Sequence, residues 1–274
     1  MLNTTPSTSI YAPPLQRPVA IASLVHVPAG RSSAKFRSAP TTKAACADCA
    51  MRRVCMSSEL EGPDLARFED LARTTRQIKA GAHLYRSGDE SLSLYAVRSG
   101  FIKTSTVTDD GREQVTGFHM LGEIIGLDMI GGGIYANAAI ALEDSNVCEI
   151  SLSALEKLSH DVPMLQRKLY NMIGARFRHE REALLLLGTM RAEDRVASFL
   201  LNIGQRYASR GFSQVRFVLR MSRAEIGSYL GLRLETVSRL FSKFQTEGLL
   251  RVDNRFVEIL DPEGLKVVIG RSVH

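Results

Sequence analysis

A chain of 274 residues, 45% hydrophobic and 23% charged, has the length of two ordinary domains and the composition of a soluble globular protein. Its formal charge of +6 permits a polyanionic partner without requiring one. No apolar run approaches the ~20 residues of a membrane span, and the six histidines are scattered with no nucleophile motif, so neither a membrane protein nor an enzyme is expected.

The first 47 residues contain no Asp or Glu and hold six of the nine prolines. Such a segment has little apolar surface to bury, and residues 1–44 read as a disordered basic tail. The run VAIASLVHV follows Arg17, but a proline precedes it and no small-residue cleavage motif follows. Export is therefore not expected, and a cytoplasmic location is.

Next comes CADCAMRRVC, which places Cys46, Cys49 and Cys55 in a C-x2-C-x5-C pattern; the fourth cysteine, Cys148, stands far downstream. A C-x2-C pair is a common zinc half-site, although structural zinc more often uses two such pairs. An iron–sulfur cluster takes four thiolates from irregular spacing plus a distant ligand. On spacing alone both chemistries stay open, and Cys148 taken by itself reads as a buried structural cysteine. A 4Fe–4S core held by four thiolates carries a net charge of −2. Arg52 and Arg53 would offset it, with Met51, Val54 and Met56 as apolar cover.

The segment SSELEGPDLARFEDLARTTRQIKAG carries apolar residues at helical spacing and predicts a helix ending at Gly81. From His83 to about Ile150, short alternating stretches are cut by Gly88, Gly100, Gly111, Gly122 and Gly126, with Asp110-Gly111 as a hairpin signal. This pattern predicts a compact antiparallel barrel or jelly roll. Pro163 opens a long helical stretch, helix resumes past Arg191 to Ser209, and SQVRFVLRM reads as a strand leading into a small C-terminal domain. The fold class is α+β. The expected divisions are 1–44 tail, 45–160 sensory segment and β-roll, 161–190 dimerisation helix and 191–274 winged helix-turn-helix.

Within MSRAEIGSYLGLRLETVSRLFSKFQTEGLL, Ser222 and Glu225 form a capping box, Met221 and Ile226 fit a hydrophobic staple, and Gly231 closes the helix. A second helix is expected from about Leu234 to Thr246. Two short helices joined by a glycine turn make a helix-turn-helix. Leu234, Val237, Leu240 and Phe241 form the inward stripe. Glu235, Ser238 and Arg239 share the opposite face near the helix N-terminus, where a recognition helix meets base edges. Arg pairs bidentately with guanine, a carboxylate accepts from cytosine N4, and Ser is permissive. Behind a capped helix and a glycine turn, this face reads as DNA-contacting rather than as a solvated Glu–Arg pair. The stretch RVDNRFVEIL, turning at Asp253-Asn254, reads as a wing.

In the long helix Tyr170, Ile173, Phe177, Glu180, Leu184 and Leu187 follow a 3, 4, 3, 4, 3 spacing. That is a coiled-coil seam suited to a two-fold dimer on a palindrome, and equally the inward stripe of an intramolecular core helix. Glu180 in a dimer seam would face its symmetry mate, costing about 4 kcal/mol at roughly 4 Å and an effective dielectric near 20. It thus keeps the dimer conditional, or else turns outward to pair with Arg176 or Arg181. Disulfides do not suit a DNA reader in a reducing compartment.

C-x2-C-x5-C, the lone distant cysteine in NVCEI, SLYAVRSGFIK, EQVTGFHMLGEIIGLDMIG and LETVSRL together resemble the FNR (fumarate and nitrate reduction) branch of the cyclic-AMP receptor protein superfamily. The resemblance covers about residues 46–260. It implies a cyclic-nucleotide-binding-like β-roll, a dimerisation helix and a winged helix-turn-helix. It also implies a 4Fe–4S cluster on Cys46, Cys49, Cys55 and Cys148 that serves as an oxygen sensor. With the cluster intact such proteins dimerise and bind palindromes with TTGAT-like arms, activating genes of anaerobic metabolism; oxygen degrades the cluster and returns them to monomers. Glu180 matches the family's acidic seam position, and Glu235, Ser238 and Arg239 match its base-reading E-x-x-S-R. Arg233 stands where relatives have Thr, losing an N-cap but offering a phosphate contact. Arg112 changes the charge of a surface that relatives turn towards RNA polymerase. Cyclic nucleotide is not expected: Gly122-Glu123 are present, but Tyr135-Ala136 occupy the place of the phosphate-pairing Arg. The alternative is a regulator of the same fold with a zinc or thiol redox sensor.

Overall fold

The computed structural model describes residues 45–72, 74–90, 92–108 and 111–270. The tail expected over 1–44 and the Asp110 half of the hairpin signal lie outside the described residues.

Helix α1 (Gly62–Leu71) carries Pro63 in its first turn, which its fixed φ and missing N–H suit, and buries Leu65 and Phe68. It ends well short of Gly81. Thr74–Ile78 is instead a strand, β1, so the expected long helix is corrected to a helix and a strand. Pairing decides this: β1 runs antiparallel to β8 (Ser145–Ser151), with Thr75 opposite Cys148, and it buries Thr75 and Ile78. The β-branched Thr74-Thr75 pair is at home on that pleated surface.

The remaining strands are β2 (His83–Tyr85), β3 (Ser93–Ser99), β4 (Phe101–Val107), β5 (Glu113–Met120), β6 (Ile124–Ile125) and β7 (Ala138–Ala141). They form two antiparallel four-stranded sheets, in orders β1-β8-β3-β6 and β2-β7-β4-β5, as a jelly roll requires. Gly100 joins β3 to β4 at φ +87°, and a Cβ there would meet Ser145 Oγ at 2.2 Å, so only glycine fits the corner. Leu94, Ile102, Met129, Val147 and Ile150 fill the interior, joined by Leu155 of α2 (Leu152–Asp161) and Leu165 of α3 (Pro163–Thr189).

Beyond α3 follow α4 (Ala192–Ala208), β9 (Arg216–Val218), α5 (Arg223–Leu230), α6 (Leu234–Thr246), β10 (Leu250–Asp253), β11 (Phe256–Ile259) and α7 (Pro262–Gly270). Strands β10, β11 and β9 form the wing, with Asn254 at φ +54° in its turn. The C-terminal core is not self-contained. Phe101, Val115, Phe118 and Met120 of the β4–β5 hairpin belong to the same cluster as Leu200, Ile226, Phe241 and Phe244.

Polar ties run along that shared core. Ser228 Oγ accepts from Val115 N at 2.9 Å, and Lys103 Nζ reaches Glu113 at 2.9 Å and Glu225 at 3.0 Å. Glu123 takes Arg206 at 2.6 Å and Arg210 at 2.7 Å. Burial alone would raise the Glu123 carboxyl, but the Arg206 guanidinium outweighs it and holds it below the ordinary range.

Candidate functional site: a DNA-reading face, an open helix seam and a thiol cavity

The helix-turn-helix forms as its sequence directs. Ser222 Oγ accepts from Glu225 N at 3.2 Å while the Glu225 carboxylate accepts from Ser222 N at 2.8 Å, closing the capping box. Gly231 takes φ +64° and ends α5. Gly227 matters as much and carried no obvious sequence signal: Leu232 N donates to its carbonyl at 2.8 Å, and a Cβ on it would stand 2.6 Å from Leu232 O. Arg233 caps α6 without a side-chain bond. Arg233, Glu235, Ser238 and Arg239 are all exposed. Among the described residues neither Glu235 nor Arg239 is engaged in a hydrogen bond or ion pair, so the Glu–Arg pair of a merely solvated face is not formed.

Leu234 departs from expectation. It is 45% exposed, and the inward stripe is Val237, Leu240, Phe241 and Phe244 instead. Those four keep i, i+3, i+4, i+7 spacing, which leaves the first turn of α6 projecting past the core. Arg223 stacks over the Phe241 ring at 3.3 Å, and burial pulls its guanidinium down to about 10. On the wing, Arg251 bonds Glu258 at 2.9 Å and Arg255 donates to Arg220 O at 3.2 Å.

On α3, Tyr170, Phe177 and Leu184 are 63%, 68% and 72% exposed. Three large apolar side chains in line on one helix face are costly to hydrate, about 1.5–3 kcal/mol each against full burial. Two seam positions are partly engaged elsewhere. Ile173 packs against the β-roll core, and Leu187 lies 3.1 Å from the Cβ position of Gly231 in the helix-turn-helix. Glu180 pairs with Arg176 at 2.9 Å, the outward arrangement.

The segment around Cys46, Cys49 and Cys55 is a run of tight turns, with Cys49 N bonded to Cys46 O, Arg52 N to Cys49 O and Cys55 N to Met51 O. Cys148 sits in the middle of β8, between Thr75 and Ala96 on the flanking strands. All four thiols are free, and all four line one small cavity with Met51, Arg52, Phe68 and Arg98. Cys148 is therefore not an isolated structural cysteine. Met51 and Met56 are buried, but Arg53 points to solvent, and Arg98 of β3 supplies the second guanidinium in its place.

Burial, then the neighbouring Cys55 and Cys148, pushes the Cys46 thiol up to about 12; burial, then Cys55, pushes Cys148 up to about 11. Burial also raises Cys55. Buried thiols raised in this way, gathered with Cys49 on one cavity, are a donor set whose thiolate form needs a cationic centre among them, and in that chemical sense the residues fit a metal cluster. Among the described residues, no three His, Cys, Asp or Glu side chains stand close enough together to hold one metal ion.

The β-roll interior is occupied by its own side chains. The Tyr135 ring stacks on Tyr85 at 3.7 Å, and its hydroxyl donates to Ser93 O at 2.5 Å. Tyr135 faces Gly126 rather than Gly122-Glu123, since a Cβ on Gly126 would lie 3.1 Å from the ring. Glu123, singled out in the sequence as half of a nucleotide motif, is committed to Arg206 and Arg210.

Residues 75–161 match the model of the cyclic nucleotide-binding domain, and residues 194–268 that of the Crp-like helix-turn-helix domain. The transcriptional activator protein FnrA of Stutzerimonas stutzeri is 42% identical over 231 residues, spanning 84% of this chain and 95% of that protein. The fumarate and nitrate reduction regulatory protein of Escherichia coli K12 is 39% identical over 227 residues, spanning 83% and 91%. Among solved structures, FixK2 from Bradyrhizobium japonicum superimposes with a TM-score of 0.66 at 33% identity, covering 71% of this chain and 96% of that one. No helix among the described residues is long and apolar enough to cross a membrane. A β-roll, an open-faced long helix, a winged reading head and relatives alike over nearly their whole length leave one assignment: the chain belongs to the FNR branch of the CRP/FNR family of DNA-binding transcription regulators and is not an enzyme.

Proposed function

We propose that this chain is an oxygen-responsive transcription activator of anaerobic metabolism, in which Cys46, Cys49, Cys55 and Cys148 hold a 4Fe–4S cluster. The observation that carries the reading is the convergence of these four thiols, from two distant segments, on one cavity flanked by Arg52 and Arg98. When bound, the cluster supplies a polynuclear iron centre that dioxygen can oxidise. The thiols then anchor the segment from Cys46 to Leu60 against β8. That segment reaches α3 through Lys168, which bonds Ser58 and, at 3.3 Å, Glu59. Anchoring therefore acts on the base of the helix whose outer face carries Tyr170, Phe177 and Leu184.

Closing two such faces about a two-fold axis would bury those side chains and present two α6 helices to successive major grooves. Glu235, Ser238 and Arg239 would read a palindrome with TTGAT-like arms, and Arg233 would touch phosphate. In this reading residues 45–160 sense, 161–190 dimerise and 191–274 bind DNA, in the cytoplasm, with RNA polymerase as the further partner. No cyclic nucleotide takes part, because Tyr135 and Tyr85 fill the β-roll interior.

Purification without oxygen tests the proposal. Brown protein with about four iron and four sulfide per chain is expected. Colourless protein with stoichiometric zinc would replace it by a zinc or thiol sensor of the same fold.

A further inference from the structure

We infer that Arg98 is a positioning residue for the cluster: its guanidinium, held at the wall of the thiol cavity, slows the loss of the cluster to dioxygen. The inference rests on the reading that the four cysteines hold a 4Fe–4S cluster.

Three observations single Arg98 out. It lines the cavity with all four cysteines, whereas Arg53, beside them in sequence, points to solvent. It is also the residue skipped by the β3–β8 pairing, where Val97 faces Val147 and Ser99 faces Asn146. Such a bulge re-aims a side chain and frees it from the ladder, one strand away from Cys148. Finally, Arg98 is half-buried, yet among the described residues it has no hydrogen-bond or ion-pair partner.

A half-buried cation without an anion is unfavourable. Here the missing anion has an address. A four-thiolate cluster of charge −2 would sit against the same wall that Arg98 lines. Arg52, the other cavity guanidinium, spends one N–H on Leu60 O at 3.3 Å.

The sign of the effect follows from the charge. A 4Fe–4S cluster held by these four thiolates would go from −2 to −1 on losing one electron to dioxygen, which would become superoxide. A neighbouring cation stabilises the −2 state more than the −1 state, so it makes that electron harder to remove.

The test uses the full chain, loaded with iron and sulfide without oxygen, as wild type, Arg98→Gln, Arg98→Lys and Arg53→Gln. Iron and sulfide content is measured first, then the decay of visible absorption in air-saturated buffer and the midpoint potential. Arg98→Gln should lose its colour roughly three- to tenfold faster, for one unit of charge removed at this range. Its potential should move to more negative values. Arg98→Lys should stay near wild type and Arg53→Gln should not change. Should the glutamine variant fail to load, Arg98→Met repeats the neutral arm. Wild-type decay in a loaded neutral variant overturns the role of Arg98 alone, as does a lysine variant as fast as glutamine. Wild-type protein that takes up no iron overturns the cluster reading beneath it.

Discussion

Arg176 Nε donates to Glu180 Oε1 at 2.9 Å across one turn of α3, the helix that also presents Tyr170, Phe177 and Leu184 to solvent. The pair is solvated, so it contributes only about 0.3–0.5 kcal/mol to the monomer. In a closed seam the carboxylate must be desolvated or face its symmetry mate, which costs more. Glu180→Ala should therefore raise the association constant, tenfold for about every 1.4 kcal/mol of penalty removed. Sedimentation and gel shift in air, on one preparation, should show dimer and DNA binding where the wild-type apoprotein shows neither. Unchanged monomer in both assays would place the switch away from Glu180.

Arg239 is exposed, near the start of α6, and free of internal partners among the described residues. If it reads a guanine, Arg239→Ala should cost about 1–3 kcal/mol of specific binding and relax preference at one base pair per half-site. Competition with single-base variants of the palindrome measures this. An equal loss on every sequence would make Arg239 a phosphate contact instead.

Cys148 reaches the cavity from β8, while its three companions come from the turns before α1. Cys148→Ser should abolish cluster incorporation as completely as Cys49→Ser, as measured by iron content after loading without oxygen. The serine variant should still fold, since β8 is paired on both sides by backbone bonds that the side chain does not make. Full iron content in Cys148→Ser would remove it from the ligand set.

Lys103 is buried and joins Glu113 of β5 to Glu225 of α5, tying the β-roll to the reading head. Burial alone would raise the Glu225 carboxyl, but bonds from the Ser222 backbone and from Lys103 outweigh it and hold it below the ordinary 4.5. Glu113 is lowered in the same way, against its burial, by Lys103. Two carboxyls depressed in the folded state stabilise it fully above that ordinary value, and the contribution disappears as the pH falls below it. Lys103→Met should cost about 1–3 kcal/mol near neutral pH, less than a fully buried pair because Glu113 is partly solvated. It should also flatten the acid limb of the stability curve. Denaturant unfolding of wild type and variant between pH 3 and 7 (about that span suffices) checks both effects; parallel curves would mean that Lys103 contributes only packing.

The amino-acid sequence by itself determined whatever is settled within a turn or between adjacent strands. Ser222 and Glu225 close their capping box, Pro163 starts α3, Gly231 turns left-handed, and Gly88, Gly100, Gly111, Gly122 and Gly126 take positive φ, because each needs only neighbouring residues. Spacing also marked the exposed face of α6, and of the six positions picked out on α3 it lined up Tyr170, Phe177 and Leu184, which stand exposed. Tertiary structure alone decided what depends on partners distant in the chain. Thr74–Ile78 is a strand because β8 offers it an edge, overriding a helical apolar pattern. Leu234 is exposed because Phe244 completes the buried stripe. Glu123 serves two arginines of α4 and the residues just after it, which no local motif announces. The second cation at the thiols is Arg98 and not Arg53, because a bulge aims one side chain inward while a turn aims the other out. Adjacency in sequence brings a charge near a site, but only the path of the backbone decides which way it points.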